Sequence, residues 1–314
     1  MVDAVAALGR TGRGAAGNSR GPRPAGAYPD RMISDIFDGY LRRLGVIDPG
    51  APSAEGLFAL QRAHLERIAY DNVDIQLGRP PGIDPELSAR RFAAGRGGYC
   101  YHLNGGLALL LETLGYEVTR HSGGVCGDAA SREVSGGHLT LTVRVDGSAY
   151  WVDAGIGDGP YEPLPLREGA YEQGGLRYRM ERLEPLAGEG AGWSLLSPDM
   201  HMPRMNFRDA PAATADFEAM HTWLSTAEDS PFVRTFALFR RDAEGADVLR
   251  GRILTRLDSA KGTSERELAD ADELFEVIGS VFGRDLDDLT AADRAALWAR
   301  VQQAHEAWLA ARQG

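Results

Sequence analysis

Cys100 lies in the run Arg96-Gly97-Gly98-Tyr99-Cys100-Tyr101-His102-Leu103-Asn104, directly ahead of a leucine stripe of helical period. That places its thiol at, or just inside, a helix N-terminus. There the unpaired backbone N–H groups and the helix dipole favour an anion, so a thiolate and a nearby oxyanion would both be stabilised. A buried structural cysteine fits the same segment equally well. A nucleophilic cysteine needs a base, and the chain has 7 histidines. His138 follows Ser135-Gly136-Gly137 and opens an alternating stretch to Val145. Asp146-Gly147 is a hairpin signal, and the return from Ala149 leads into Asp153. With a two-residue turn Val145 pairs with Ser148 and Thr140 with Asp153. His138 and Asp153 then share a face as diagonal neighbours, about 7–8 Å apart by backbone. A three-residue turn would put them on opposite faces. The chemistry open to this set is nucleophilic catalysis by a Cys–His–Asp arrangement: Cys100 attacks, His138 moves the proton, and Asp153 orients the imidazole and stabilises its cation. The alternative is an ordinary polar strand end.

The elements that must hold these residues follow from periodicity. Ile36, Tyr40, Leu41 and Leu44 recur at helical spacing up to Gly45. Ser53, with Glu55 and Gly56, opens a second helix whose face carries Leu57, Leu60, His64, Leu65 and Ile68. Pro80-Pro81-Gly82 is a loop. A third helix is expected to begin after Asn104, with Leu107, Leu110, Leu111 and Leu114 on one stripe and Gly115 at its end. Beyond the hairpin, strands are expected around Tyr178, Trp193 to Leu196, and Met205 to Phe207. Phe236 to Arg240 and Val248 to Thr255 look like another hairpin across Glu244-Gly245. Two helices close the chain, around Leu274 to Phe282 and from Thr290 onward, the last packing Leu297, Val301, Ala304 and Leu309 on the core. Helices, then strands, then a mixed segment predict an α+β fold without regular βαβ alternation.

Composition bounds the function. The chain has 314 residues, 43% hydrophobic and 25% charged, enough for about two ordinary domains. The net charge of −11, from 45 acids against 34 bases, argues against a nucleic-acid partner. Lys261 is the one lysine, an Arg bias with no mechanistic weight. No apolar run exceeds five residues, far short of the ~20 a membrane span needs. Cys100 and Cys126 cannot make a disulfide framework. With no apolar signal segment evident, the chain reads as cytoplasmic. Residues 1–31, rich in Gly, Ala, Arg and Pro, read as a disordered tail. Gly155-x-Gly157-x-Gly159 is no dinucleotide fingerprint, because Pro160, Pro163 and Pro165 forbid the helix it requires. Neither structural-zinc spacing nor a phosphate-loop lysine occurs, and no metal is expected.

RGGYCYHLN, the Gly136-Gly137-His138 strand start and the following VDAGIGDGP resemble the arylamine N-acetyltransferase family. Tyr70-Asp71-Asn72 ahead of Leu77-Gly78-Arg79-Pro80 is similar to that family's Phe-Glu-Asn stretch. Asp216-Phe217 and the run from Ser225 through Phe232 resemble its later elements. The gaps of 38 and 15 between Cys100, His138 and Asp153 also fit, and the likeness extends over most of residues 33–285.

The resemblance implies Cys100 as acyl-accepting nucleophile, His138 as base and Asp153 as orienting acid, a cysteine-protease-like arrangement. It implies Gly137 beside the acceptor, and Trp223 and Thr226 beside the coenzyme. The implied donor is acetyl-CoA, with no permanently bound cofactor, and the acceptor a small arylamine or hydrazine; no membrane or nucleic-acid partner is expected. It further implies an N-terminal helical domain carrying the nucleophile (32–115), a central β-barrel domain carrying His and Asp (116–220) and a C-terminal α/β lid domain (221–314). Tyr70-Asp71 replaces Phe-Glu, and His102 stands where an acidic or polar residue is usual, either perturbing Cys100 or facing solvent. A tryptophan often found near Val125-Cys126-Gly127 is absent, and Cys126 reads as a small core residue. The rivals are an amide synthase using a carrier-bound acyl chain, a cysteine hydrolase, and an inactive binding module.

Overall fold

The computed structural model describes residues 31–185 and 190–313. The expected tail over 1–31 falls outside them except for Arg31, which opens the first helix. The first third is helical: α1 (Arg31–Leu44), α2 (Ala54–Arg67), the two-residue β1 (Tyr70–Asp71), α3 (Val73–Gln76), α4 (Pro85–Ala93) and α5 (Cys100–Thr113). Ser53 caps α2 by accepting from Gly56 N–H, and Asp84 caps α4 by accepting from Leu87 N–H. α5 opens at Cys100 itself, five residues earlier than a start after Asn104. Leu107, Leu110 and Leu111 of α5 are fully buried.

The middle of the chain forms β2 (Glu117–Cys126), β3 (His138–Val145), β4 (Ser148–Val152), β5 (Leu164–Pro165), β6 (Gly169–Gln173), β7 (Leu176–Leu183), β8 (Gly192–Leu196) and β9 (Arg204–Pro211). They make one sheet in the order β5-β4-β3-β2-β9-β8-β7-β6. Its end strands β5 and β6 do not pair, so the sheet is a near-barrel rather than a closed one. Asp146 (φ 51°) and Gly147 (φ 72°) both sit in the left-handed region, as a type I′ turn demands. The register follows: Val145 faces Ser148 and Leu141 faces Val152. Strand alternation then splits the side chains. Leu141, Val143 and Val152 join the helical core with α5, while Trp151 turns into the sheet's own core with Met180 and Phe207. The sheet carrying His138 is thus buried on both faces.

The last third holds α6 (Glu218–Thr226), α7 (Pro231–Arg234), β10 (Ala237–Arg241), β11 (Gly245–Arg250), β12 (Ile253–Asp258), β13 (Gly262–Glu267), α8 (Ala271–Ser280) and α9 (Ala291–Gln313). The stretch read as one strand from Val248 to Thr255 is two, because Gly251 (φ 56°) turns the chain. In α9, Leu297 and Val301 are buried as expected, but Leu309 is exposed. The second sheet runs β1-β10-β11-β12-β13, so a strand from the helical third is hydrogen-bonded into the C-terminal sheet. Asn72 reinforces that seam: its Nδ2 donates to Phe232 O and Thr235 O, and its Oδ1 accepts from Ala237 N–H. Among the described residues, no helix is long and apolar enough to cross a membrane.

Candidate active site

The first turn of α5 carries Cys100, 3% exposed. His102 N–H and Leu103 N–H donate to Tyr99 O, leaving the N–H groups of Cys100 and Tyr101 as helix-end donors. His102 is buried rather than solvent-facing, and its Nδ1 accepts from Tyr99 N–H. It does at the third helical position what a Glu or Gln does in a capping box. Burial, with Arg91 and His221 adding to it, pushes its imidazole down to about 3, so the cap is neutral. Asp71 Oδ2 accepts from Gly97 N–H and fixes the loop that leads into the helix.

The start of β3 brings His138 beside Cys100, and the end of β4 delivers Asp153. His138 Nε2 lies 2.7 Å from Asp153 Oδ2, with both side chains almost wholly buried. That engagement leaves Nδ1 to face the sulfur. Burial alone would suppress a charged imidazole, but the Asp153 carboxylate and the Cys100 sulfur together push His138 up to about 10. Cys100 Sγ also points at Gly137 O, 3.6 Å away. The expected convergence of the three side chains is therefore present.

Asn104 completes the arrangement, and the sequence reading assigned it no part. Its Nδ2 donates to Asp153 Oδ1 (3.0 Å) and Leu139 O (2.6 Å), and its Oδ1 accepts from Ala154 N–H (2.8 Å). Gly155 N–H gives Asp153 Oδ1 a further bond at 2.7 Å. Asn104 stands four residues after Cys100, one helical turn on the same face, and that spacing was the available signal.

Cys100 and His138 open onto a cavity of about 350 Å³ whose walls include Tyr70, Phe239 and Arg250. Gly137 borders this cavity and also a shallow apolar groove lined by Met220, Trp223 and Leu224. Trp223 is 43% exposed. Thr226 is exposed at the end of α6, donates to Thr222 O, and lines neither space. Cys126 is half-buried, at the end of β2, rather than a core residue.

A family model described as N-acetyltransferase matches residues 53–291. An arylamine N-acetyltransferase of Mycolicibacterium smegmatis is 33% identical over 290 residues, covering 86% of this chain and 99% of that protein. Proansamycin X synthase of Amycolatopsis mediterranei (strain S699) is 28% identical over 268 residues, covering 80% and 99%. The solved structure of Mycobacterium marinum arylamine N-acetyltransferase in complex with CoA superposes with a TM-score of 0.75 at 28% identity, over 85% of this chain and 99% of that one. With three quarters of its length matched by the family model, the chain belongs to the arylamine N-acetyltransferases, a family of acyltransferases.

Proposed function

We propose that this protein transfers the acetyl group of acetyl-CoA to arylamines or arylhydrazines through an acetyl-Cys100 intermediate. The observation that carries the reading is His138, held by Asp153 on one nitrogen and turned to Cys100 with the other, at the wall of a cavity. In the resting site the imidazolium faces the sulfur. The Cys100 thiolate attacks the thioester carbonyl, and the N–H groups at the start of α5 receive the oxyanion. The bond to the CoA sulfur breaks, and that sulfur leaves with the proton from His138. Acylation removes the thiolate's charge, one of the influences that keep His138 protonated, so the imidazole becomes a competent base. The neutral amine attacks the acetyl carbonyl, His138 takes its proton, and Cys100 leaves as thiolate to restore the pair.

Gly137, on the border of both spaces, is assigned to the acceptor; Trp223, in the apolar groove, is assigned to the coenzyme. Thr226 is assigned there only through its proximity to Trp223 on α6. The three-part division at 115 and 220 and a cytoplasmic location belong to the same proposal. Intact-mass measurement after mixing with acetyl-CoA should show one acetyl adduct, mapped to Cys100 and discharged by an added arylamine. An adduct that forms equally in Cys100→Ala would refute the reading. The likeness to proansamycin X synthase favours a second reading, an amide synthase drawing on a carrier-bound acyl chain. That reading predicts no adduct from free acetyl-CoA but an adduct from an acylated carrier.

A further inference from the structure

The cavity wall facing Cys100 belongs to the second sheet, and its register decides which side chains it presents. Tyr70 pairs with Phe239, and Ala237 pairs with Arg250. Alternation puts these four on one face and Leu238 and Leu249 on the other, where the latter two are fully buried in the core. Tyr70, Ala237, Phe239 and Arg250 all line the cavity. Phe239 is the shared support. The Tyr70 ring meets it edge-on at 5.1 Å between centroids, and the Arg250 guanidinium carbon stands 5.4 Å from its centroid.

Both polar ends lack a protein acceptor. Among the described residues, Arg250 forms no ion pair within 4 Å and no hydrogen bond, and the Tyr70 hydroxyl forms no hydrogen bond. Burial lowers the Arg250 guanidinium from its usual value, and the Asp158 carboxylate, also in the wall, opposes that shift; Asp158 Oδ2 is engaged by His201 N–H. Burial first, then the neighbouring Cys100, raises Tyr70 well above an ordinary phenol, so its hydroxyl remains a donor. A partly buried guanidinium with unmatched N–H groups beside a free hydroxyl is a site for a planar anion. The hydroxyl is also a departure from the phenylalanine that the family resemblance leads one to expect.

We propose that Tyr70 and Arg250 form a carboxylate-recognition site in the acyl-transfer cavity, selecting a reactant that carries a carboxylate. This rests on the transferase reading above. The carboxylate can be borne by the amine acceptor or by the acyl chain of the donor, and the chemistry of recognition is the same.

The test compares selectivity ratios in the full-length enzyme, so that general damage to the site cancels. In one arm acetyl-CoA is the donor, and kcat/KM is measured for 4-aminobenzoate and its neutral isostere 4-aminobenzamide. In the other, 4-aminobenzamide is the acceptor, and malonyl-CoA is compared with propionyl-CoA. Arg250→Gln should lower the carboxylate-to-neutral ratio about 10- to 100-fold in one arm, the usual worth of a charge-assisted hydrogen bond. Tyr70→Phe should lower it by about threefold to tenfold in that same arm. The arm that responds identifies the reactant. Arg250→Lys, which keeps the charge but loses the forked geometry, should fall between. Ratios unchanged in both arms would overturn the proposal. Equal loss on charged and neutral reactants would do the same, since that marks a purely structural arginine. Acetylation of Cys100 by acetyl-CoA in each variant, read by intact mass, reports separately whether the transferase reading has failed.

Discussion

A protonated imidazole survives in a protein interior only when a neighbouring charge offsets its lost hydration. For His138 that neighbour is Asp153, and the carboxylate is itself held by Asn104 and the Gly155 N–H. Asp153→Asn keeps the shape but removes the counter-charge and the control of the imidazole tautomer. The expected result is a folded enzyme whose acylation rate falls about 10⁴-fold, as in comparable triads. Near-wild-type acetyl transfer in that variant would remove Asp153 from the mechanism. Asn104→Ala acts one step further out. It leaves Ala154 N–H and Leu139 O without their buried partner, so a loss of about 1–3 kcal/mol in stability is expected from urea unfolding. Its pH–rate profile should also shift, because Asp153 loses a donor; a stability loss with an unmoved profile would make Asn104 merely structural. The two cysteines provide a third comparison. The His138 cation faces Cys100 but not Cys126, so iodoacetamide at neutral pH should alkylate Cys100 first by at least tenfold. Equal rates at the two thiols would contradict an activated nucleophile.

Elements place these residues by close approach. A Cβ on Gly155 would come within 2.7 Å of Cys100 Cα and Cβ and 2.9 Å of Asn104 Nδ2. The segment after β4 can therefore lie against the first turn of α5 only as glycine. Gly155→Ala should push Cys100 away from His138, with acetyl-enzyme formation lost by about 100-fold or more, since 1 Å of misplacement has that scale of effect. Unchanged single-turnover acylation would mean that the contact tolerates movement. The same elements differ in how far the sequence alone revealed them. The β3–β4 hairpin was legible because a two-residue turn is a local matter: Asp146 and Gly147 accept positive φ, and the register follows. With the register came the shared face of His138 and Asp153. The leucine stripe puts Cys100 at or just inside the N-terminus of α5, as found, but it does not show that Cys100, Tyr101 and His102 are already helical, because burial and the His102 cap hold them so. β2 escaped for a related reason. Its Gly123 and Gly124 and its polar residues look like a loop, yet it pairs with both β3 and β9. The pairing of β1 with β10 joins residues about 170 positions apart, and no local signal encodes it.

Over the whole molecule, buried histidines make stability depend on pH in two opposite senses. His64 and His102 are pushed down to about 3 by burial, so the folded chain keeps them neutral where the unfolded chain, near 6.5, protonates them. Their stabilising effect is present above pH 6.5 and is lost as pH falls from there toward 3. His121, His201 and His221 are lowered by burial too and act in the same direction. His138 is the reverse case. Raised to about 10, it stabilises fully below 6.5, and that contribution is lost as pH rises from 6.5 through about 10. The urea midpoint should therefore climb from pH 4.5 to 6.5 and hold nearly level above that, where the thiolate–imidazolium pair carries one proton just as the unfolded thiol and neutral imidazole together do. It should decline only above about pH 8.5, where the unfolded thiol ionises. Each titrating histidine contributes at most about 1.4 kcal/mol per pH unit on its side. Asp71 and Asp247, raised by burial, work against the acid limb above pH 4, so the cleaner measurement is a difference between variants. His102→Gln keeps an acceptor for Tyr99 N–H while removing one proton uptake, and should make the decline between pH 6.5 and 4.5 shallower than in the wild type. Asp153→Asn removes the charge that holds His138 protonated, and should flatten the alkaline limb. A midpoint that rises steadily from pH 6.5 to 9 in the wild type would show that His138 is not carried as a cation in the folded protein, and the charged resting site would fall with it.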